Sequence, residues 1–367
     1  MTYATDLAAA ERAHDWQCPT CRLAARARGD LIVLPNNPLV VAAFQAICAG
    51  GPSASVLDGG WRRNKSGFPV YEFWNGAGGR IVVRIGLSDA VAAWNEVKSC
   101  SSLTLDVATA VLSGLASDPF RQSTCAPRRE PVTLGAALVL NAKGYRRYGV
   151  ERSIFASAMA SEMDRLERLR FDIIAYPGFD PQTRRWKRDG VTRSDVTLVE
   201  LADDDSSQPA NDRAPCAYAR PLRFGAWAEH WLNSAGAMWT AQVPASILRL
   251  DHRENRSPDT LAKRIALMLS LSFAAAREAQ EIRLTTRLLL RRIGMLPRVD
   301  IARPAHSGRM ADRLEEALLR LSERNLIIST LRSETALALR AANRRWFEDW
   351  LEAEIVFKRP SARERDT

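Results

Sequence analysis

Lysine is scarce in this chain: of 52 basic residues, 46 are arginine and 6 lysine. A GC-rich genome produces the same bias, so the sign of the charge is informative and the preference for arginine much less so. Histidine is scarcer still, with His14, His230, His252 and His306 far apart, which removes any His-x-His metal pair beside a nucleophilic tyrosine. A phosphate-cradling G-x-x-x-x-G-K-[ST] loop is missing, and Gly76-Ala77-Gly78-Gly79 lacks the lysine and falls in a hairpin turn. No apolar run approaches the roughly 18 residues that cross a bilayer. The first residues carry Asp6, Glu11 and Asp15 with no apolar core, unlike a signal peptide. A cytoplasmic protein without a membrane role is the expectation.

Six cysteines, at 18, 21, 48, 100, 125 and 216, are too scattered for a disulfide scaffold. Cys18-Pro19-Thr20-Cys21 is a lone C-x-x-C; His14 would add a third ligand, but no second pair closes a tetrahedral zinc site. Asp203, Asp204 and Asp205 are adjacent carboxylates in a Ser-rich stretch, a pattern usual for solvated chain. Catalysis therefore has little support, and no cofactor or metal is expected.

What is present is a globular composition: 367 residues, 46% hydrophobic, with ten Trp, enough for two or three domains. From Ser257 to Lys358 the pattern predicts three helices and a hairpin. Leu261, Ile265, Met268 and Leu269 share one helical face behind the start signal Ser257-Pro258-Asp259. Leu284 to Ile293 is a shorter apolar segment ended by Gly294, and Met310, Leu314, Ala317, Leu318 and Leu321 form the clearest stripe. Leu326-Ile327-Ile328 and Glu354 to Lys358 read as strands. That order is the order of a winged helix-turn-helix, whose third helix enters a DNA groove while the hairpin leans on the backbone. Between Ile282 and Arg345, 14 Arg face six acids, a net +8 of the whole chain's +10. Such a field favours phosphate and the release of counterions.

Upstream, residues 1–30 read as a leader. Residues 31–90 form a small β-rich lead-in, with a strand at Leu31–Leu34, a helical piece at Val40–Ile47, and a hairpin of Val70–Trp74 and Arg80–Ile85. Residues 91–202 repeat the order: helices at Ser102–Ser117, Thr133–Asn141 and Val150–Arg168, then strands at Phe171–Tyr176 and Asp195–Leu201. Acidic 203–219 is the linker candidate, 220–360 the second domain, and 361–367 a tail. The expected fold is α+β: two tandem winged helices behind a β lead-in, with an ancient duplication left open.

The candidate DNA contacts follow from those positions. In the first domain, Lys143, Arg146, Arg147 and Tyr148 precede the third helix, and Arg152, Ser153 and Ser157 lie on its exposed face. Arg184, Arg185, Trp186, Lys187 and Arg188 form a hairpin tip of the kind a wing presents. In the second domain, Arg303, His306 and Arg309 hold the equivalent place with Arg313 one turn in, and Glu315 and Glu316 confine the positive face to the N-terminal half of that helix.

Taken together, the chain resembles the winged-helix replication initiators of plasmids and related mobile elements. The likeness lies in the hairpin Tyr71-Glu72-Phe73-Trp74 with Gly79 to Val83, the phrase Leu103 to Leu112, and the closing Trp346-Phe347-Glu348-Asp349-Trp350-Leu351-Glu352-Ala353. It spans roughly residues 65 to 358, in pattern and order and not in an invariant signature. The resemblance implies binding to repeated origin sites in double-stranded DNA, recruitment of host helicase or initiator, and an equilibrium of initiating monomers with repressing dimers. The alternatives are a transcriptional regulator with the same modules and a nucleic-acid-processing enzyme.

Overall fold

The computed structural model describes residues 31–54, 59–74, 79–116, 131–143, 150–180, 185–202, 220–231, 240–250, 257–276, 279–296, 304–324, 326, 328–331, 339 and 345–358. Helices are mixed with strands whose pairings are all antiparallel.

Strand β1 (Leu31–Pro35) runs into Asn36-Asn37-Pro38, where Asn37 caps α1 (Pro38–Cys48) by accepting from the Val40 amide at 3.0 Å. A side-chain acceptor followed by proline in the first turn is a strong helix start. A short strand β2 (Arg62–Arg63) joins the predicted hairpin of β3 (Pro69–Trp74) and β4 (Arg80–Ile85). Asp89 then caps α2 (Ala90–Ser99), a helix the apolar periodicity had not indicated.

The next helix, α3 (Ser102–Ala116), is buried on nearly every side, because β1, α1 and the elements that follow it all pack around it. It is followed by β5 (Val132–Leu134), α4 (Ala136–Ala142) and α5 (Val150–Arg168). On α5, Met159, Met163 and Leu166 are buried and Phe155 packs against the core, as their spacing predicts.

Here the structure departs from the sequence reading. The strands expected to close this unit, β6 (Leu169–Asp180) and β7 (Arg185–Thr197), extend the N-terminal hairpin into one sheet of order β2-β3-β4-β6-β7. Ile81, Val83, Phe171 and Ile173 alternate onto its buried face in matching register, and that shared apolar face selects the pairing. The lead-in is therefore not a separate body.

The three-stranded sheet that does belong to α3, α4 and α5 is built from β5, β8 (Val199–Leu201) and β9 (Arg220–Phe224), in the order β5-β9-β8. Residues 203–219, read as an interdomain linker, lie outside the described residues, and the strands flanking them are hydrogen-bonded neighbours, with Leu201 opposite Leu222. Trp227 locks this corner, its indole donating to the Leu198 carbonyl at 2.8 Å just before the short helix α6 (Ala228–Trp231).

Strand β10 (Thr240–Pro244) returns to pair with β1, and a 3-10 turn (Ala245–Arg249) leads towards α7 (Pro258–Ala275), capped by Ser257 as its start signal predicts. Then come β11 (Glu281–Thr285), α8 (Thr286–Arg292), α9 (Pro304–Glu323), β12 (Ile328–Leu331), α10 (Trp346–Glu352) and β13 (Glu354–Lys358). The sheet order is β11-β13-β12. The segment read as one apolar run from Leu284 is thus a strand followed by a helix. Thr285 makes the break, ending β11 and capping α8 through the Leu288 amide.

Gly294 ends this piece as expected, at φ +65. A Cβ there would lie 2.4 Å from the Ala49 amide at the end of α1, so both conformation and space demand glycine. Gly294→Ala is expected to lower unfolding free energy by about 1–3 kcal/mol, read from urea denaturation. No single helix among the described residues is long and apolar enough to cross a membrane; the bent pair α2 and α3 passes by length and composition only, and α3 is a core helix.

Candidate nucleic-acid interface

Two helices occupy the same place in two like-ordered units. In each unit a buried helix is followed by a strand, a short helix, a longer third helix and two further strands of the same sheet, the last of them central; β6 and β7 intervene after the third helix of the first unit, and α10 between the last two strands of the second. The third helices are α5 and α9, and their solvent faces differ in chemistry. Among the described side chains of α5, Ile154, Ser157 and Ser161 are exposed, Ile154 at 64%. Hydroxyls and a branched apolar group suit base edges and thymine methyls better than phosphate.

On α9 the buried stripe is Ala311, Leu314, Ala317, Leu318 and Leu321, and Arg309, Asp312, Glu316 and Leu319 face solvent. Arg320 is taken up by Asp259 of α7 and by Glu316, one turn back on its own helix at 2.6 Å. Arg309 and the half-buried Arg313 have no ion-pair partner among the described residues. Both arginines fall in the N-terminal half of α9. The helix as a whole carries a net charge of −1, with Arg309, Arg313 and Arg320 against Asp312, Glu315, Glu316 and Glu323. On α8, Arg291 is exposed and Arg292 half-buried, and neither has an ion-pair partner among the described residues. Burial without a carboxylate holds the Arg292 guanidinium below its usual range.

Lys143 requires correction. It is buried at the end of α4, where its ammonium pairs with the Asp106 carboxylate of α3 and donates to the Leu248 carbonyl at 3.1 Å. A side chain so enclosed makes no DNA contact. Of the remaining candidates, Arg146, Arg147, Tyr148, Arg184 and Arg303 lie outside the described residues. Arg152 and Ser153 fall on α5, His306 on α9, and Arg185, Trp186, Lys187 and Arg188 on β7, with backbone alone described for all seven. The hairpin bearing Arg185 to Arg188 belongs to the five-stranded sheet and so does not hold the wing position of the first unit. The segment that does, 203–219, contains four acids and one arginine. Its counterpart in the second unit, between β12 and β13, holds Arg332, Arg340, Arg344 and Arg345 against Glu334, Glu348, Asp349 and Glu352. At this place the first unit is acidic and the second neutral.

Sequence reasoning missed a wholly buried charge cluster. Asp106 is shared by Lys143 and by Lys263 of α7, whose Nζ lies 2.8 Å from both carboxylate oxygens. Asp106 and Lys263 sit within apolar runs, and nothing in local periodicity marks them. Burial pushes the Lys263 ammonium down to about 8, with Asp106 opposing that shift and Lys143 adding to it. Because the unfolded chain holds this proton up to the ordinary lysine range near 10.5, the folded state binds fewer protons between about pH 8 and 10.5. Unfolding free energy from this group is therefore expected to rise through that window. Urea titrations at about pH 7, 8 and 9.5 should show the rise in the parent and not in Lys263→Met.

Comparison with known proteins gives little. No family model matches the chain, and no curated protein matches it. Among solved structures, a crystal structure of the RctB domains 2-3 aligns with 88% of this chain and 99% of its own, at 11% identity and TM-score 0.38. A selenomethionine form of domains 2 and 3 of RctB aligns with 86% and 99%, at 10% identity and TM-score 0.40. At such scores the likeness supports no inference about activity.

Proposed function

We propose that this protein is a double-stranded DNA-binding protein built from two winged helix-turn-helix units, acting without catalysis to initiate replication of a plasmid or integrated element. The observation that carries the reading is the repeated topology. Helix, strand, helix, helix and two strands of one sheet, with the final strand central, occur as α3-β5-α4-α5-β8-β9, interrupted by β6 and β7 after α5, and again as α7-β11-α8-α9-β12-β13, interrupted by α10 before β13. In such a unit the third helix meets the major groove with its N-terminal residues on base edges. Ser157 on α5 and Arg309 and Arg313 on α9 stand on those helices with side chains available to a partner. The second unit, with Arg309 and Arg313 on α9, supplies most of the phosphate affinity; the first, with hydroxyls and Ile154, supplies readout. Support for the replicative role is the sequence resemblance alone.

A mobility-shift titration with DNA flanking the gene tests the binding, and a salt-sensitive shift is expected. Autonomous replication of a minimal clone carrying the gene and neighbouring repeats separates an initiator from a transcriptional regulator. Supercoiled plasmid incubated with the protein and a divalent cation should remain unnicked; nicking would reinstate an enzyme.

A further inference from the structure

The buried cluster spans the two units. Asp106 is on the first helix of one, Lys263 on the first helix of the other, and Lys143 follows α4 on the approach to α5. The fourth group, the Leu248 carbonyl, belongs to the turn that leads into α7. One turn before Asp106, the Ser102 hydroxyl lies 3.4 Å from that of Thr260, which is one turn before Lys263. Helices α3 and α7 thus run in the same direction along a polar seam.

Apolar packing is non-directional and tolerates small slides and rotations. A carboxylate shared by two ammonium groups tolerates far less, since each must stay within hydrogen-bond reach of the same oxygens. We propose that Asp106 is a positioning residue that sets the angle between the two units through Lys263, so that α5 and α9 keep one fixed separation. The value of that separation to DNA binding rests on the function proposed above; the positioning itself does not.

The test needs no DNA. Nitroxide labels at Ser157→Cys on α5 and Arg309→Cys on α9, both exposed positions, report the separation by pulsed electron resonance in the full chain with Cys18, Cys21, Cys125 and Cys216 replaced by serine. A single narrow distance distribution is expected. Lys263→Met cuts the tie between the units yet leaves Asp106 and Lys143 as a balanced pair, so the protein should stay folded while the distribution becomes roughly twofold broader or splits. Lys143→Met removes the same charge but spares the link between the units, and should keep the narrow distribution. A Lys263→Met distribution that superimposes on the parent's overturns the proposal. So does failure of both Lys263→Met and Lys263→Leu to fold, since the tie would then be a condition of folding and not a setting of angle. Failure of the parent to shift DNA would instead sink the binding reading and leave this result standing.

Discussion

Asp106→Asn is expected to lower unfolding free energy by about 3–5 kcal/mol at neutral pH, and Lys263→Met to change it far less or to raise it. The contrast follows from counting charges. Two ammonium groups and one carboxylate are enclosed together, so removing the carboxylate leaves two positive charges without a counter-charge in a medium that solvates them poorly. Removing one lysine leaves a one-to-one pair. The local field at Lys263 agrees, since its ammonium is already pushed down to about 8 by burial. Urea denaturation of both variants beside the parent reads the difference directly. Equal losses would mean that Asp106 and Lys263 matter as packing volumes and not as charges.

The second large effect concerns DNA. Replacing Arg309 and Arg313 together by glutamine is expected to weaken binding about 10- to 1000-fold at moderate salt, and to flatten the dependence of log K on log salt by about one unit for each lost phosphate contact. Neither residue has an ion-pair partner among the described residues, so the thermal midpoint should hold. The exposed Lys65 and Lys98, on other elements, serve as charge-matched controls, and changing them to glutamine should leave the shift as it was. A double arginine variant that binds like the parent would remove α9 from the interface. Ser157→Ala, by contrast, should weaken discrimination between sites more than affinity for DNA in general.

Much of the architecture is legible in the residues, wherever local chemistry speaks. Ser257-Pro258, Asn37-Pro38 and Gly294 mark helix ends that the structure places where side-chain capping and left-handed backbone require them. The stripe from Leu314 to Leu321 and the spacing of Met159, Met163 and Leu166 state which face is buried. The hairpin of β3 and β4 follows from alternation about a glycine turn. The sign and location of the charge in the second unit are likewise matters of sequence.

Which strands meet, beyond neighbours along the chain, was not legible. Alternation marks a residue run as half-buried strand but names no partner, so β6 and β7 were joined to the wrong helices and the pairing of β1 with β10, some two hundred residues away, had no signal at all. The fate of individual charges was equally hidden. Lys143 looks like a surface cation beside Arg146 and Arg147, and only the approach of α3, α7 and the Leu248 turn makes it an interior one. Composition and periodicity are properties of neighbours along the chain, and they determined element types, helix ends and net field. Partner choice between strands and the enclosure of Asp106 arise from contacts between distant segments, which exist only once the chain has closed on itself.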